Sequence, residues 1–360
     1  MTPRTKRMTN GNSFAADLLE RSAAGYGGFA AGLMLERNPD LREQYGAEAF
    51  ATWKTHLTQR TLELSAAVGT GDERLFTGRV IWSNKAFAAR GRETAHLVLS
   101  LECLREVLSE RLPVPARQMP LDFIAAAVAA LADPGSAVEP SSLQPDQEPD
   151  RLALRYLQQV LEGNVADAIA DLSRAAANGL GVRAAYVNVL LPAQREVGRL
   201  WHLGDVSIAE EHLVSYATQR AMAVLASQAE PAPPNGKTVV VAAVASNTHD
   251  IGLRALADLY QLAGWRTLFL GSDVPVQDMP SVLSYFEADL LLLGAMLTTH
   301  IPKVEQTVQT IRERCERDVK VLVGGSAFDE APKLWRELGC DGYSSNVALA
   351  VEEGARLVGL

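Results

Sequence analysis

A chain of 360 residues is long for one domain and suits two or three. With 48% apolar and 21% charged residues it has a globular composition, which excludes wholesale disorder, collagen-like sequence and coiled-coil rods. A net charge of -9 argues against a phosphate-binding surface, so direct nucleic-acid binding is not expected.

The start carries Arg4, Lys6 and Arg7 with no apolar stretch behind them, so no signal peptide is expected. Residues 14–132 read as a helical domain with no strand pattern, punctuated by Tyr26, Phe29, Tyr45, Phe50, Trp53, Phe76, Trp82 and Phe87. Helix stops fall near Gly46, Gly69–Gly71, Gly91 and Pro113. Residues 133–150 (DPGSAVEPSSLQPDQEPD) resist helix and strand alike and form a linker. Residues 151–227 read as four helices, Leu152–Glu162, Val165–Asn178, Arg183–His202 and Ser207–Gln228, with Gly179, Gly181, Gly204 and Asp205 between them. Short connections make neighbours antiparallel, hence a four-helix bundle. A second linker, 228–236, holds three prolines and an Asn-Gly.

Residues 237–360 alternate strand and helix. Strands are expected at Lys237–Ala243, Arg266–Leu270, Asp289–Leu293, Lys320–Val323 and, more weakly, Asp341–Tyr343. Helices are expected near 251–264, 277–286, 302–315 and 346–358. Five such units imply a doubly wound parallel sheet of flavodoxin-like order, with ligands at the strand carboxyl ends between strands 1 and 3. No apolar run reaches the roughly 18 residues of a membrane span. The cysteines Cys103, Cys315 and Cys340 make no disulfide framework, and a cytoplasmic protein is expected.

Three loops at the strand ends carry chemistry. Asn247-Thr248-His249-Asp250-Ile251-Gly252 follows strand 1, Ala295-Met296-Leu297-Thr298-Thr299 follows strand 3, and Gly324-Gly325 follows strand 4. Imidazole is a good cobalt ligand, and glycines allow a bulky group to approach the backbone. In this order the loops resemble the base-off, His-on cobalamin-binding domain, whose pattern is Asp-x-His-x-x-Gly, Ser-x-Leu and Gly-Gly. The resemblance implies that His249 is the lower axial cobalt ligand. It also places Asn247, Asp250, Ile251, Gly252, Ala295, Leu297, Thr299, Gly324 and Gly325 around the cofactor. Two positions depart from the pattern: Asn247 replaces the family's Asp and Ala295 its Ser. In methyltransferases of the family those two couple a proton to the axial histidine, so proton-linked redox cycling is in doubt here.

In the bundle, Trp201-His202 is followed by Glu211-His212, with nine residues between Trp201 and Glu211. This resembles the Trp-x9-Glu-His signature of the CarH-type light-sensing cobalamin proteins. The resemblance implies that Trp201 caps the upper face of adenosylcobalamin, that Glu211 and His212 help line its pocket, and that His202 ligates cobalt after light. Residues 14–132 resemble, more loosely, globin-like helical sensor domains. The whole chain is similar to the photocobilins, which bind biliverdin beside the corrin. Trp53, His56, Arg60, Trp82, Lys85 and His96 then become candidate bilin contacts. Cys103 lies in an apolar helical run and reads as a buried structural thiol rather than a bilin attachment point.

The resulting expectation is a non-enzymatic photoreceptor that signals through light-dependent homo-oligomer assembly or an unknown downstream protein. The alternatives are a corrinoid carrier protein of a methyltransferase system and a cobalamin-binding scaffold with an oligomerising front domain.

Overall fold

The computed structural model describes residues 10–89, 91–132 and 141–360, with side chains from Asn12 onward. The basic start and residues 133–140 of the first expected linker lie outside the described residues. The chain forms two compact units.

The first unit is helical: α1 (Asn10–Arg37), α2 (Asp40–Tyr45), α3 (Ala49–Thr70), α4 (Glu73–Ala89), α5 (Thr94–Arg111) and α6 (Val114–Ala130). Helix α1 turns Ala23, Ala30 and Ala31 inward, and these small side chains let it lie close along α3. At Gly27 a β-carbon would come within 2.6 Å of the Thr58 backbone nitrogen, so this crossing tolerates no side chain. Trp53, Leu57, Leu64, Phe76, Leu97, Leu101 and Leu104 fill the core. Cys103 is fully buried among them. Two later segments, Leu297–Glu305 and Ser326–Glu337, belong to this unit, and the short turn Thr298–His300 packs on α3.

The second unit joins a helical bundle to a five-stranded parallel sheet. The bundle comprises α7 (Asp150–Leu161), α8 (Val165–Ala175), α9 (Val182–Ala185), α10 (Leu191–Leu203) and α11 (Ile208–Gln228). Its second and third helices are less regular than the sequence suggests. The second ends in a π turn over Ala176–Leu180 that breaks at Asn178 and Gly179. The third is split by a π turn, Tyr186–Leu190, immediately before Pro192. Proline has no N–H and its ring crowds the carbonyl one turn back; a wider turn removes both conflicts. The fourth begins with a capping box in which Ser207 and Glu210 satisfy each other's backbone N–H groups.

The sheet has strand order β2-β1-β3-β4-β5, as the alternating pattern predicts. Its strands are β1 (Thr238–Val244), β2 (Arg266–Val274), β3 (Leu290–Gly294), β4 (Lys320–Gly324) and β5 (Gly342–Tyr343). The helices that alternate with these strands along the chain are α12 (Ile251–Leu262), α13 (Met279–Tyr285), α14 (Ile301–Arg314), α15 (Leu334–Glu337) and α16 (Val347–Leu357), of which α15 and the start of α14 fall in the segments that belong to the first unit. Strands β1 and β3 are buried along their whole length, the signature of a sheet covered on both faces. Strand β2 runs four residues beyond its apolar run, with irregular pairing against β1 around Ala242. Among the described residues no helix is long and apolar enough to cross a membrane.

Candidate corrinoid site

The end of β1 delivers its loop into a tightly specified conformation. Ser246 adopts a left-handed backbone, φ 68°, and so does Asp273 at the end of β2, φ 54°. The two are tied together: Ser246 N–H donates to Asp273 Oδ1 at 2.6 Å, and Asp273 N–H donates to the Asn247 carbonyl at 3.0 Å. Non-glycine residues held at positive φ cluster at functional sites. Asp273 carries no signal in the sequence, because its role depends on the strand order rather than on spacing along the chain.

Asn247 is fully buried and uses both ends of its amide. Nδ2 donates to the Gly294 carbonyl at 3.0 Å, while Oδ1 accepts from the His249 backbone N–H at 3.0 Å. It therefore holds the His249 loop to the end of β3. His249 itself is exposed and directly precedes Asp250, the N-cap of α12. Gly252 is exposed too, with no atom within 4 Å of where a β-carbon would stand. Asp250 and Ile251 are half-buried at the first turn of the helix.

On the next loop, Ala295 is fully buried and donates its N–H to the Gly324 carbonyl at 3.0 Å. At Gly325, φ 106°, a β-carbon would stand 2.2 Å from the Ala295 carbonyl oxygen, so only glycine fits. Asn247, Ala295 and Gly324-Gly325 are thus joined through the ends of three adjacent strands. Leu297 and Thr299 are half-buried, and His300, which motif reading passed over, accepts the Leu297 N–H on Nδ1 at 3.1 Å. An exposed imidazole three residues before the open Gly252 suits an axial ligand to a flat metallated macrocycle. A corrinoid fits here, with His249 as the residue that would hold its cobalt.

In the bundle, Trp201 is half-buried and His202 buried at the C-terminal end of α10, which Gly204 closes in the left-handed conformation, φ 85°. Glu211 is held at one oxygen by the Ser215 hydroxyl at 2.6 Å and contacts His212 Nδ1 at 2.7 Å with the other. Ser215 adjoins Gln194, whose Nε2 donates to Thr218 at 2.8 Å, and Thr218 meets the Tyr156 hydroxyl at 3.2 Å. This polar chain fixes Glu211 to the bundle interior, whereas His212 points outward.

Within the first unit, Arg60 is completely buried. It pairs with Glu63 at 2.8 Å and donates to Ser83 at 3.0 Å, so the expected carboxylate-binding cation is already neutralised inside the domain. Trp53 packs edge-on to Tyr45 and His56, each with ring centres 5.4 Å apart. Burial, reinforced by Arg60 and Arg92, pushes His56 down to about 3, so it is neutral. Trp53 Nε1, His56 Nε2, Arg60 Nε and His96 Nδ1 are enclosed without a hydrogen-bond partner. Trp82 lies apart from them at the surface, beneath the Arg79 guanidinium at 4.2 Å. Lys85 is half-buried on the same helix.

Two family models described as B12 binding domains match the chain, one over residues 152–226 and the other over residues 237–352. Dimethylamine corrinoid protein 3 of Methanosarcina mazei is 30% identical over 122 residues, 33% of this chain and 71% of that protein. The HTH-type transcriptional repressor CarH of Myxococcus xanthus is 28% identical over 176 residues, 49% of this chain and 56% of the repressor. The solved monomethylamine corrinoid protein of Methanosarcina barkeri shares the fold, with a TM-score of 0.52 and 21% identity over 57% of this chain and 98% of its own. The loops that gather around His249 lie within the span matched by the second of these models, and the chain belongs to the B12-binding corrinoid protein family.

Proposed function

We propose that this protein is a light sensor that binds adenosylcobalamin on His249 beneath Trp201 and carries biliverdin in its helical unit. Asn247 is the observation that supports sensing over carrying. A methyl carrier must release and retake its axial histidine as cobalt changes oxidation state, and a neighbouring acid that exchanges a proton eases that cycle. Asn247 is a neutral amide with both ends occupied, and the neighbouring Ala295 has no hydroxyl to extend a relay. His249 is held in place but not supplied with a proton.

Bound adenosylcobalamin contributes a cobalt–carbon bond that visible light cleaves. In this reading His249 would hold the cobalt through its imidazole and the indole of Trp201 would cover the bound group. His202, the buried residue after Trp201, would be the imidazole that ligates cobalt after illumination. The unpartnered buried donors and acceptors around Trp53, His56 and His96 support a second, polar and aromatic ligand in the first unit. Output passes through homo-oligomer assembly or a downstream protein.

A second reading is favoured by the relatives: several are named as methylamine corrinoid proteins, so a corrinoid carrier of a methyltransferase system is the alternative. Spectra of the full chain loaded with adenosylcobalamin separate the two. The sensor reading expects green light to give a stable bis-imidazole cobalt(III) spectrum, lost in His202→Ala. No light-dependent species, together with methyl exchange with a corrinoid methyltransferase, would establish the carrier instead.

A further inference from the structure

Tyr186 is fully buried in the π turn of the third bundle helix. Its hydroxyl oxygen lies 2.7 Å from the Met222 carbonyl on α11 and 2.7 Å from Oδ2 of Asp258 on α12. One hydroxyl has one hydrogen. The Met222 carbonyl can only accept, and an ionised Asp258 could only accept as well. Two acceptors would then compete for a single proton, leaving one pair of oxygens at 2.7 Å with opposed lone pairs. The triad closes when Asp258 keeps its own proton: the acid donates to Tyr186, and Tyr186 donates to Met222.

The surroundings favour the neutral acid. Asp258 is half-buried on the third turn of α12, and burial raises its carboxyl above the ordinary range, opposed by the Tyr186 contact and by Arg254. Arg254 is the cation one turn away, but its guanidinium lies over the Phe269 ring at 4.9 Å. Other charges on the packed elements are engaged elsewhere. Arg183 donates to the Ala348 carbonyl and pairs with Glu352, and Glu353 pairs with Arg356.

The contact joins two parts that the B12-binding models match separately, the bundle and the sheet domain. On the sheet side it grips the helix that begins two residues after His249. We propose that Tyr186 and a protonated Asp258 are positioning residues, a proton-held latch that sets the bundle against the axial-ligand helix and so tightens corrinoid binding. The proposal rests on corrinoid binding alone and holds for a sensor or a carrier.

Dissociation of methylcobalamin from the full chain in the dark, followed across pH, tests it. Wild-type release should accelerate as pH rises through one proton equilibrium. This is opposite in sign to acid-promoted loss of an axial imidazole, which speeds release as pH falls. Asp258→Asn, whose amide can donate to Tyr186 at every pH, should show that acceleration abolished. Tyr186→Phe should release methylcobalamin roughly tenfold faster at low pH, about the worth of one buried hydrogen bond, and also lose the rise. An Asp258→Asn protein with the wild-type pH profile would overturn the proposal. So would a neutral-pH infrared spectrum of the wild type with no carboxylic-acid band that Asp258→Asn removes, a measurement that does not depend on ligand binding.

Discussion

Asn247 and His249 divide the work of the corrinoid loop, and substitutions should separate them. His249 is exposed, so His249→Ala should leave thermal stability within about 0.5 kcal/mol of wild type. Its cobalamin should nonetheless lose the imidazole-ligated spectrum and bind at least about tenfold more weakly, about the loss of one strong polar interaction. Asn247→Ala should do the reverse first. It removes two buried hydrogen bonds and strands the Gly294 carbonyl, a loss of roughly 2–4 kcal/mol in chemical denaturation. Unchanged spectra in the first variant, or unchanged stability in the second, would reverse these assignments. At this scale the sequence was informative where identity is forced. Gly325 must be glycine because the Ala295 carbonyl leaves no space, and His249 stands out by its chemistry. Asp273 was not legible, because only the parallel pairing of β1 with β2 brings it to Ser246.

The elements reward the same comparison. The sheet order followed from apolar runs and short connections, both local signals, and the strand ends fell within a few residues except on β2. The apolar spacing of the third bundle helix persists through Pro192 and reads as one regular helix, because the π turn that accommodates the proline has no periodicity of its own. In the first unit, the helix stops at Gly46, Gly71 and Gly91 were legible as breaks. The ion pair of Arg60 with Glu63 was not, because a buried charge and a solvated one look alike along a helix. His56 on α3 gives this unit a predictable acid response. Its folded-state value of about 3 lies below the ordinary 6.5, so the unfolded chain binds the proton more readily. The contribution is complete above pH 6.5 and is lost as pH falls toward 3. Between pH 6.5 and 5, stability should fall by about 2 kcal/mol, at about 1.4 kcal/mol per pH unit. His56→Gln should flatten that limb of the denaturation profile; an unchanged slope would mean that His56 is not held neutral.

For the whole molecule, the question is how an event at cobalt reaches another chain. Helix α11 begins near the Glu211 network and presents Ile208, His212, Tyr216, Arg220 and Val224 on one outward face, with Ile208 60% and Tyr216 65% exposed. Its opposite face, through Val214, Ala217, Ala221 and Leu225, is part of the bundle core. The polar chain from Glu211 by Ser215 and Gln194 to Thr218 ties α11 to the beginning of α10, so that a shift of α10 can be felt on α11. In the sensor reading, ligation by His202 exists only in the light state, and that differential contact supplies the free energy for a two-state shift of the bundle. A bundle face with exposed aromatic and aliphatic side chains is then a natural surface for a second copy. Dark and illuminated protein loaded with adenosylcobalamin should elute at different volumes on size exclusion. Tyr216→Glu should abolish the difference, because it places a charge where the second copy would bury an aromatic ring, while leaving the light-induced cobalt spectrum intact. His202→Ala should remove both the bis-imidazole spectrum and the elution change. Identical elution before and after complete photolysis would remove self-association from the signalling route and leave a separate downstream protein as the receiver.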